Sequence, residues 1–334
     1  MRSGAPHAGG AALRRRGRPG SIHARSRRAR PARAAGSRGA PVEREAALAR
    51  IALVFLLGVF GIACAPIFVR LALPAPPVVI AFYRLLFAAV LFGSWLVVTR
   101  RRVALPAETL RLAAGAGACF GTDMALWHAA LTHTSVANAT LLVNTTPIHV
   151  GLVALWLYGE RLDARFVLGA ALALGGTAVL LGAELGSAGA IRGDLLALAA
   201  AAFYSGYLLL SKAARRRAEA TPVFLVSMLA ATAVLGLYAA LGGDRFSGFP
   251  LSSWLAMLGA AIVSQLLGVL SLVWSFRYLR TTFTSVALLL QPLGATLLAW
   301  LLLGEAIVGT QAVGGCLVLA GILLASARAA DPRR

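Results

Sequence analysis

Arginine clusters divide this chain into apolar runs of about 18 to 24 residues, the length that a helix needs to cross a hydrocarbon core. The pattern leaves little room for a soluble fold. Of 334 residues, 59% are hydrophobic and only 13% are charged, against roughly a quarter charged in ordinary globular domains. Runs bounded by charge or by Gly/Pro punctuation predict ten helices, near 51–71, 77–99, 110–131, 135–158, 165–183, 193–211, 222–241, 252–276, 282–303 and 308–327. The expected fold class is an all-α membrane protein with ten transmembrane helices.

The chain also repeats itself. Shifted by 145 positions without a gap, Pro147, Leu152, Ala154, Leu157, Gly159, Glu160, Gly169, Leu172, Leu174 and Gly176 meet Pro292, Leu297, Ala299, Leu302, Gly304, Glu305, Gly314, Leu317, Leu319 and Gly321. Five helices per half is an odd number, so the halves insert upside down relative to one another. Inverted repeats of this kind place a substrate site at the repeat interface and permit alternating access.

Arginine counting orients the helices, because cytoplasmic loops retain Lys and Arg. With the N-terminus inside, the inner loops carry Arg100, Arg101, Arg102 and Arg111, then Arg161 and Arg165, then Lys212 to Arg217, then Arg277 and Arg280, and finally Arg328, Arg333 and Arg334. The outer side holds only Arg70, Arg192 and Arg245. Both termini and the 212–221 loop are therefore expected in the cytoplasm, and 187–189 outside. The plasma (inner) membrane of a bacterium is the expected location.

The net charge of +20 owes most to residues 1–50, where arginine sits in a Gly/Ala/Ser/Pro background. Such a segment cannot bury a core, and residues 1–48 read as a disordered basic tail. Without interleaved aromatic residues it offers no base-stacking platform, so no nucleic-acid partner is expected. Cys64, Cys119 and Cys316 all lie inside apolar runs and imply neither a disulfide nor a metal framework.

Several local runs carry a family likeness: Ala81-Phe82-Tyr83-Arg84, Ala125-Leu126-Trp127-His128, Thr134 through Asn144 leading to Pro147, Leu157-Tyr158-Gly159-Glu160-Arg161, Gly193-Asp194-Leu195-Leu196-Ala197-Leu198, and Gln291-Pro292 through Gly304-Glu305. In these the chain resembles the drug/metabolite transporter superfamily, in the branch whose unit is the EamA domain. The likeness covers residues 48–327. It implies repeats at 49–185 and 190–327, a short cytoplasmic tail at 328–334, and a ten-helix carrier of small metabolites, often an exporter. Its cavity would lie between helices one to four and six to nine.

Ionisable groups inside a bilayer cost about 2.5–3.5 kcal/mol on insertion scales and are functional candidates by default. Arg84 and Asp123 are the two well inside predicted spans, each about 12 Å below the outer ends of helices two and three at 1.5 Å per residue. Equal depth predicts a charge pair, either a permanent structural one or one that opens when Asp123 is protonated or an anionic substrate competes for Arg84. Trp127, one turn from Asp123 on the same face, is a cavity wall, a cation-binding surface or an interfacial anchor. Asn138 and Asn144 serve as interhelical glue or as neutral substrate contacts. His149 is a hydrogen-bonded structural histidine or a proton-linked one.

Pro147 and Pro292 stand near the middle of equivalent helices, where each removes a backbone donor and kinks its helix. As paired hinges next to Asn144 and Gln291, they point to a midplane site. Gly175, at the periphery, is expected to act through packing. No metal site, cofactor loop or catalytic constellation is visible, so the chain does not read as an enzyme. The expected function is secondary transport of a small metabolite, an amino acid or derivative or a drug-like amphiphile, with the lipid bilayer as surroundings. Proton coupling and a homodimer are compatible with it. The alternative is a non-transporting membrane scaffold or lipid-handling protein.

Overall fold

In the computed structural model, residues 39–100, 104–134, 136–158, 163–182, 191–304 and 307–326 are described. The chain separates into two compact units, Met1–Glu45 and Ala46–Arg334, and the second carries everything below. Expectations for residues 1–38, Gly159 to Arg161, 187–189, Glu305 and 328–334 lie outside the described residues. The first helix runs back to Gly39, into the segment read as tail.

Helices occupy all ten predicted positions, and several are built from pieces. The first run is α1 (Gly39–Ala63) with α2 (Ala65–Leu71), followed by α3 (Pro77–Val98) and α4 (Ala107–Ala130). Next come α5 (Val136–Val143) with α6 (Thr146–Tyr158), and α7 (Ala164–Leu181). The second half has α8 (Ile191–Arg215) and α9 (Ala220–Leu241). It continues with α10 (Leu251–Ala260), a π-helical stretch (Ala261–Val269) and α11 (Leu270–Ser275), and ends with α12 (Thr281–Ala287), α13 (Leu290–Leu303) and α14 (Gly309–Ser326).

Seven of these runs are long and apolar enough to cross a membrane. Of the others, α4 is long enough but too polar, the α5–α6 run is interrupted, and α14 is short. Large apolar side chains such as Leu53, Val98, Leu237, Leu301 and Leu323 stay exposed on the outer faces, as a surface facing lipid requires.

Proline and glycine set the ends. Pro76, Pro106 and Pro250 stand at the N-caps of α3, α4 and α10, where a missing N–H costs nothing. Gly182 closes α7 with φ +62°, a left-handed cap for which glycine is the least strained residue. Two interior breaks matter more. α5 stops at Val143 and α12 at Ala287, each about one turn ahead of Pro147 or Pro292, whose ring collides with the carbonyl four residues back.

The halves interleave. α4 packs against α8 and α9, and α3 lies against α9 and the π-helical stretch. α7 crosses α14 at reciprocal glycines: a Cβ on Gly176 would lie 2.6 Å from Val318 N, and one on Gly314 2.5 Å from Leu180 N. Gly169 and Gly321 repeat this, with the Gly169 Cβ 2.6 Å from the Gly321 carbonyl. Each glycine thus meets the repeat equivalent of the other, Gly169 with Gly321 and Gly176 with Gly314, across an antiparallel crossing. Gly175 has nothing within 4 Å of its added Cβ, which corrects the expectation that it acts through packing. It faces outward, and the neighbouring Gly176 carries the contact.

Hydrogen bonds show which turns share an end. At the upper end, Ser253 donates to the Leu73 carbonyl (3.2 Å), Thr134 to Asp194 Oδ1 (2.9 Å) and Tyr83 to the Phe246 carbonyl (2.7 Å). At the lower end, Lys212 donates to the Leu279 carbonyl at 2.7 Å and Arg215 Nε to the Val273 carbonyl at 2.9 Å. Arg217 there pairs with Glu108, whose exposed carboxyl it holds below the ordinary carboxylate range.

Candidate substrate-binding cavity

A cavity of about 200 Å³ lies between the halves. By the water share of liquid volume, this is room for about seven waters or one small molecule. The first half lines it with Ile62, Arg84, Phe120, Asp123, Met124, Trp127, Thr140, Val143, Asn144, Thr146 and Pro147. The second half contributes Tyr204, Tyr207, Ser264, Gln265, Val269, Leu272, Ser285, Leu288, Leu289 and Gln291. The broken helices supply both flanks: Asn144 sits in the α5–α6 break, Leu288 and Leu289 in the α12–α13 break.

Of the residues singled out from sequence, Arg84, Asp123, Trp127, Asn144, Pro147 and Gln291 reach the cavity. Arg84 and Asp123 are nearly buried, at 8% and 6% exposure. The charge pair expected between them is not formed. A guanidinium nitrogen of Arg84 instead reaches Met124 Sδ at 3.4 Å, a weak acceptor, and no N–O contact within 4 Å joins Arg84 to Asp123 among the described residues. The reason lies in the packing. α3 and α4 touch little, since α9, α10 and the π-helical stretch take most of the contact of α3 while α8 and α9 take that of α4.

Asn144 donates its amide to the Thr140 carbonyl, one turn back on α5, at 2.9 Å. Gln291 lies within hydrogen-bonding reach of Tyr204. Trp127 meets His128 edge to face at 5.1 Å, and His128 Nδ1 bonds the Met124 carbonyl at 2.6 Å.

Three candidates fall elsewhere. Asn138 is buried on α5, which packs against α8 and α7, so its placement fits interhelical packing and not the cavity. His149 points back toward the preceding turn, Nδ1 to the Thr145 carbonyl at 3.2 Å, and is not among the cavity's lining residues. Pro292 is buried and shapes the α12–α13 break without lining the space.

Sequence reasoning missed a second set of lining residues. Tyr204 and Tyr207 on α8 stack at 5.8 Å between ring centroids, and Tyr207 stacks on Phe120 at 4.8 Å, making an aromatic wall. Ser264 and Gln265 come from the π-helical stretch; Gln265 donates only to Met228 Sδ, at 3.0 Å. The signals were present as tyrosines in an Ala/Leu-rich run and a Ser-Gln pair in an apolar one. Among the described residues, three buried atoms of lining residues, Arg84 Nε, Tyr207 Oη and Ser264 Oγ, have no hydrogen-bond partner within 3.5 Å. Each such group costs about 1–3 kcal/mol if left dry.

Both halves match one family model, the EamA-like transporter family, over residues 49–182 and 191–327. The chain belongs to this family. It is thus a membrane transporter built of two EamA repeats, and not an enzyme. It is 29% identical over 204 residues to an uncharacterized transporter of Archaeoglobus fulgidus, covering 60% of this chain and 71% of that one. It is 26% identical to a probable terminal-alkyne amino-acid exporter of Streptantibioticus cattleyicolor, over 65% of this chain and 74% of that one. The aromatic amino acid exporter YddG of Ancylobacter novellus is 32% identical to it, over 59% and 74% respectively. A solved crystal structure shares its fold at a TM-score of 0.72 with 23% identity, covering 84% of this chain and 98% of that one.

Proposed function

We propose that this EamA transporter is a secondary carrier that exports a small amphipathic metabolite, an amino acid or close derivative, by alternating access across the inner membrane of a bacterium. Ten helices in two inverted sets, 49–185 and 190–327, form the carrier, with both termini in the cytoplasm and the lower end facing inward, as the arginine alternation indicates. The observation that carries this reading is the cavity flanked by helices broken at repeat-equivalent positions, with polar groups at the breaks. Broken helices whose freed backbone groups face a midplane site are a recurring transporter device. Two of the relatives are named for amino-acid export, which supports the substrate class. Arg84 is suited to a carboxylate, Asp123 to an ammonium group or a coupled proton, and the Phe120–Tyr207–Tyr204 wall to an apolar side chain.

Reconstitution into proteoliposomes tests it, with amino acids loaded on one side and a proton gradient imposed. Flux should be saturable, and Asn144→Leu or Gln291→Leu should lower kcat/KM by about tenfold or more, the equivalent of one lost hydrogen bond in a dry site, with insertion unchanged. Substrate bound against α7 and α14, with full flux in both variants, would overturn the assignment of the cavity.

A further inference from the structure

The orphaned polar atoms occupy two levels. Arg84, with Asp123, lies about 11 Å from the upper ends of α3 and α4 at 1.5 Å per residue. Ser264 lies deeper, about 20 Å from the upper end of its own helix on the same measure, and Tyr207 is held beside Phe120, about one turn below Asp123, by ring stacking at 4.8 Å. The charged level and the neutral level are therefore separated along the cavity, with the aromatic wall beside the lower one.

The lower level is built, not incidental. Ser264, Gln265 and Tyr207 are 1%, 1% and 2% exposed. Ser264 Oγ has no partner among the described residues, and the Tyr207 hydroxyl lies beside Ser211, one turn on. Gln265 spends its amide nitrogen on a methionine sulfur and keeps its carbonyl oxygen as an acceptor. Ser264 and Gln265 both stand on the π-helical stretch Ala261–Val269, a conformation that is rare and concentrated at functional sites. Buried polar groups in native proteins normally find partners, and these three residues line one cavity.

Resting on the carrier reading above, we infer that Ser264 and Gln265, with Tyr207 opposite, form a second subsite that reads the far end of the substrate. The favoured substrate is an amino-acid-like ion that carries a hydroxyl or amide on its side chain. Its carboxylate meets Arg84, its body lies along the aromatic wall, and its distal polar group bonds Ser264 and Gln265. A side chain ending in bare hydrocarbon would leave these groups unpaired, and a site built to hydrogen-bond a hydroxyl rejects the analogue that lacks it.

Calorimetric binding of matched pairs to the full chain in nanodiscs tests this, with tyrosine against phenylalanine and threonine against valine. The hydroxylated member of at least one pair should bind about tenfold more tightly, as one hydrogen bond implies. Ser264→Ala and the near-isosteric Gln265→Met should bring that ratio close to one, whereas Arg84→Gln should weaken both members alike. Equal affinities in the native chain, a preference that survives both variants, or no binding by any pair (a cavity filled by water alone) would overturn the inference. Counterflow in proteoliposomes separates the two proposals. Preferential binding without flux would remove the carrier reading and leave the subsite, while flux without preference would do the reverse.

Discussion

Arg84 and Asp123 illustrate how much residue identity reveals and where it stops. A guanidinium and a carboxyl inside apolar runs stand out because lipid penalises them, and both do line the cavity. Their depth matched, yet they do not pair, since depth says nothing of the direction in which a side chain leaves its helix. The charge-swapped double variant, Arg84→Asp with Asp123→Arg, should therefore recover no flux over the single exchanges. A double-mutant cycle checks this, with a coupling within about 0.5 kcal/mol expected. Asp123→Asn should in addition abolish accumulation driven by a proton gradient while exchange at equal pH continues. Asn144 and Gln291 were legible for the same reason as the charges, as amides beside prolines. Ser264 and Tyr207 were not, because a lone hydroxyl in a membrane helix can bond its own preceding turn, as Thr177 does to the Ala173 carbonyl at 2.9 Å. Only the packing shows which hydroxyls fail to do so.

The breaks in the helices decide where polar backbone is available. Pro147 and Pro292 announced theirs in the sequence, and the α5–α6 and α12–α13 interruptions fall where the proline ring demands. No residue type announced the π-helical stretch, which interrupts α10 and α11 without a proline. The α7–α14 crossing offers a test at this scale. Gly176→Ala should lower stability by about 1–3 kcal/mol through overpacking, because its Cβ would meet Val318 backbone at 2.6 Å. Gly175→Ala, with open space at its Cβ, should be neutral or gain up to about 1 kcal/mol from helix propensity. Thermal midpoints of the purified variants in detergent would distinguish the adjacent glycines, and equal losses at both would refute the crossing.

At the scale of the whole molecule, the two ends are fastened differently. The lower end is held by cationic side chains: Arg215 donates to the Val273 carbonyl near the close of α11, which suits the negative end of a helix, and Lys212 to the Leu279 carbonyl in the turn that follows. The upper end relies on neutral hydroxyls and on the Tyr83, Phe246 and Trp254 aromatic contacts. With the lower end in the cytoplasm, Glu219→Cys in a chain without its native cysteines should resist an impermeant thiol reagent in intact cells, and Ser247→Cys should react. The opposite labelling would reverse the orientation. Membrane class, helix positions, duplication and family were legible in the sequence because run length, charge alternation and a fixed offset are properties of a line of residues. The cavity's charged level was partly legible too, since polar groups in apolar runs are conspicuous. The tertiary structure alone decided that Arg84 turns to Met124, that Asn138 and His149 leave the cavity, and that Ser264, Gln265 and Tyr207 enter it. Those outcomes depend on the rotation of each helix about its own axis and on the neighbour it packs against, and residue spacing within one helix records neither.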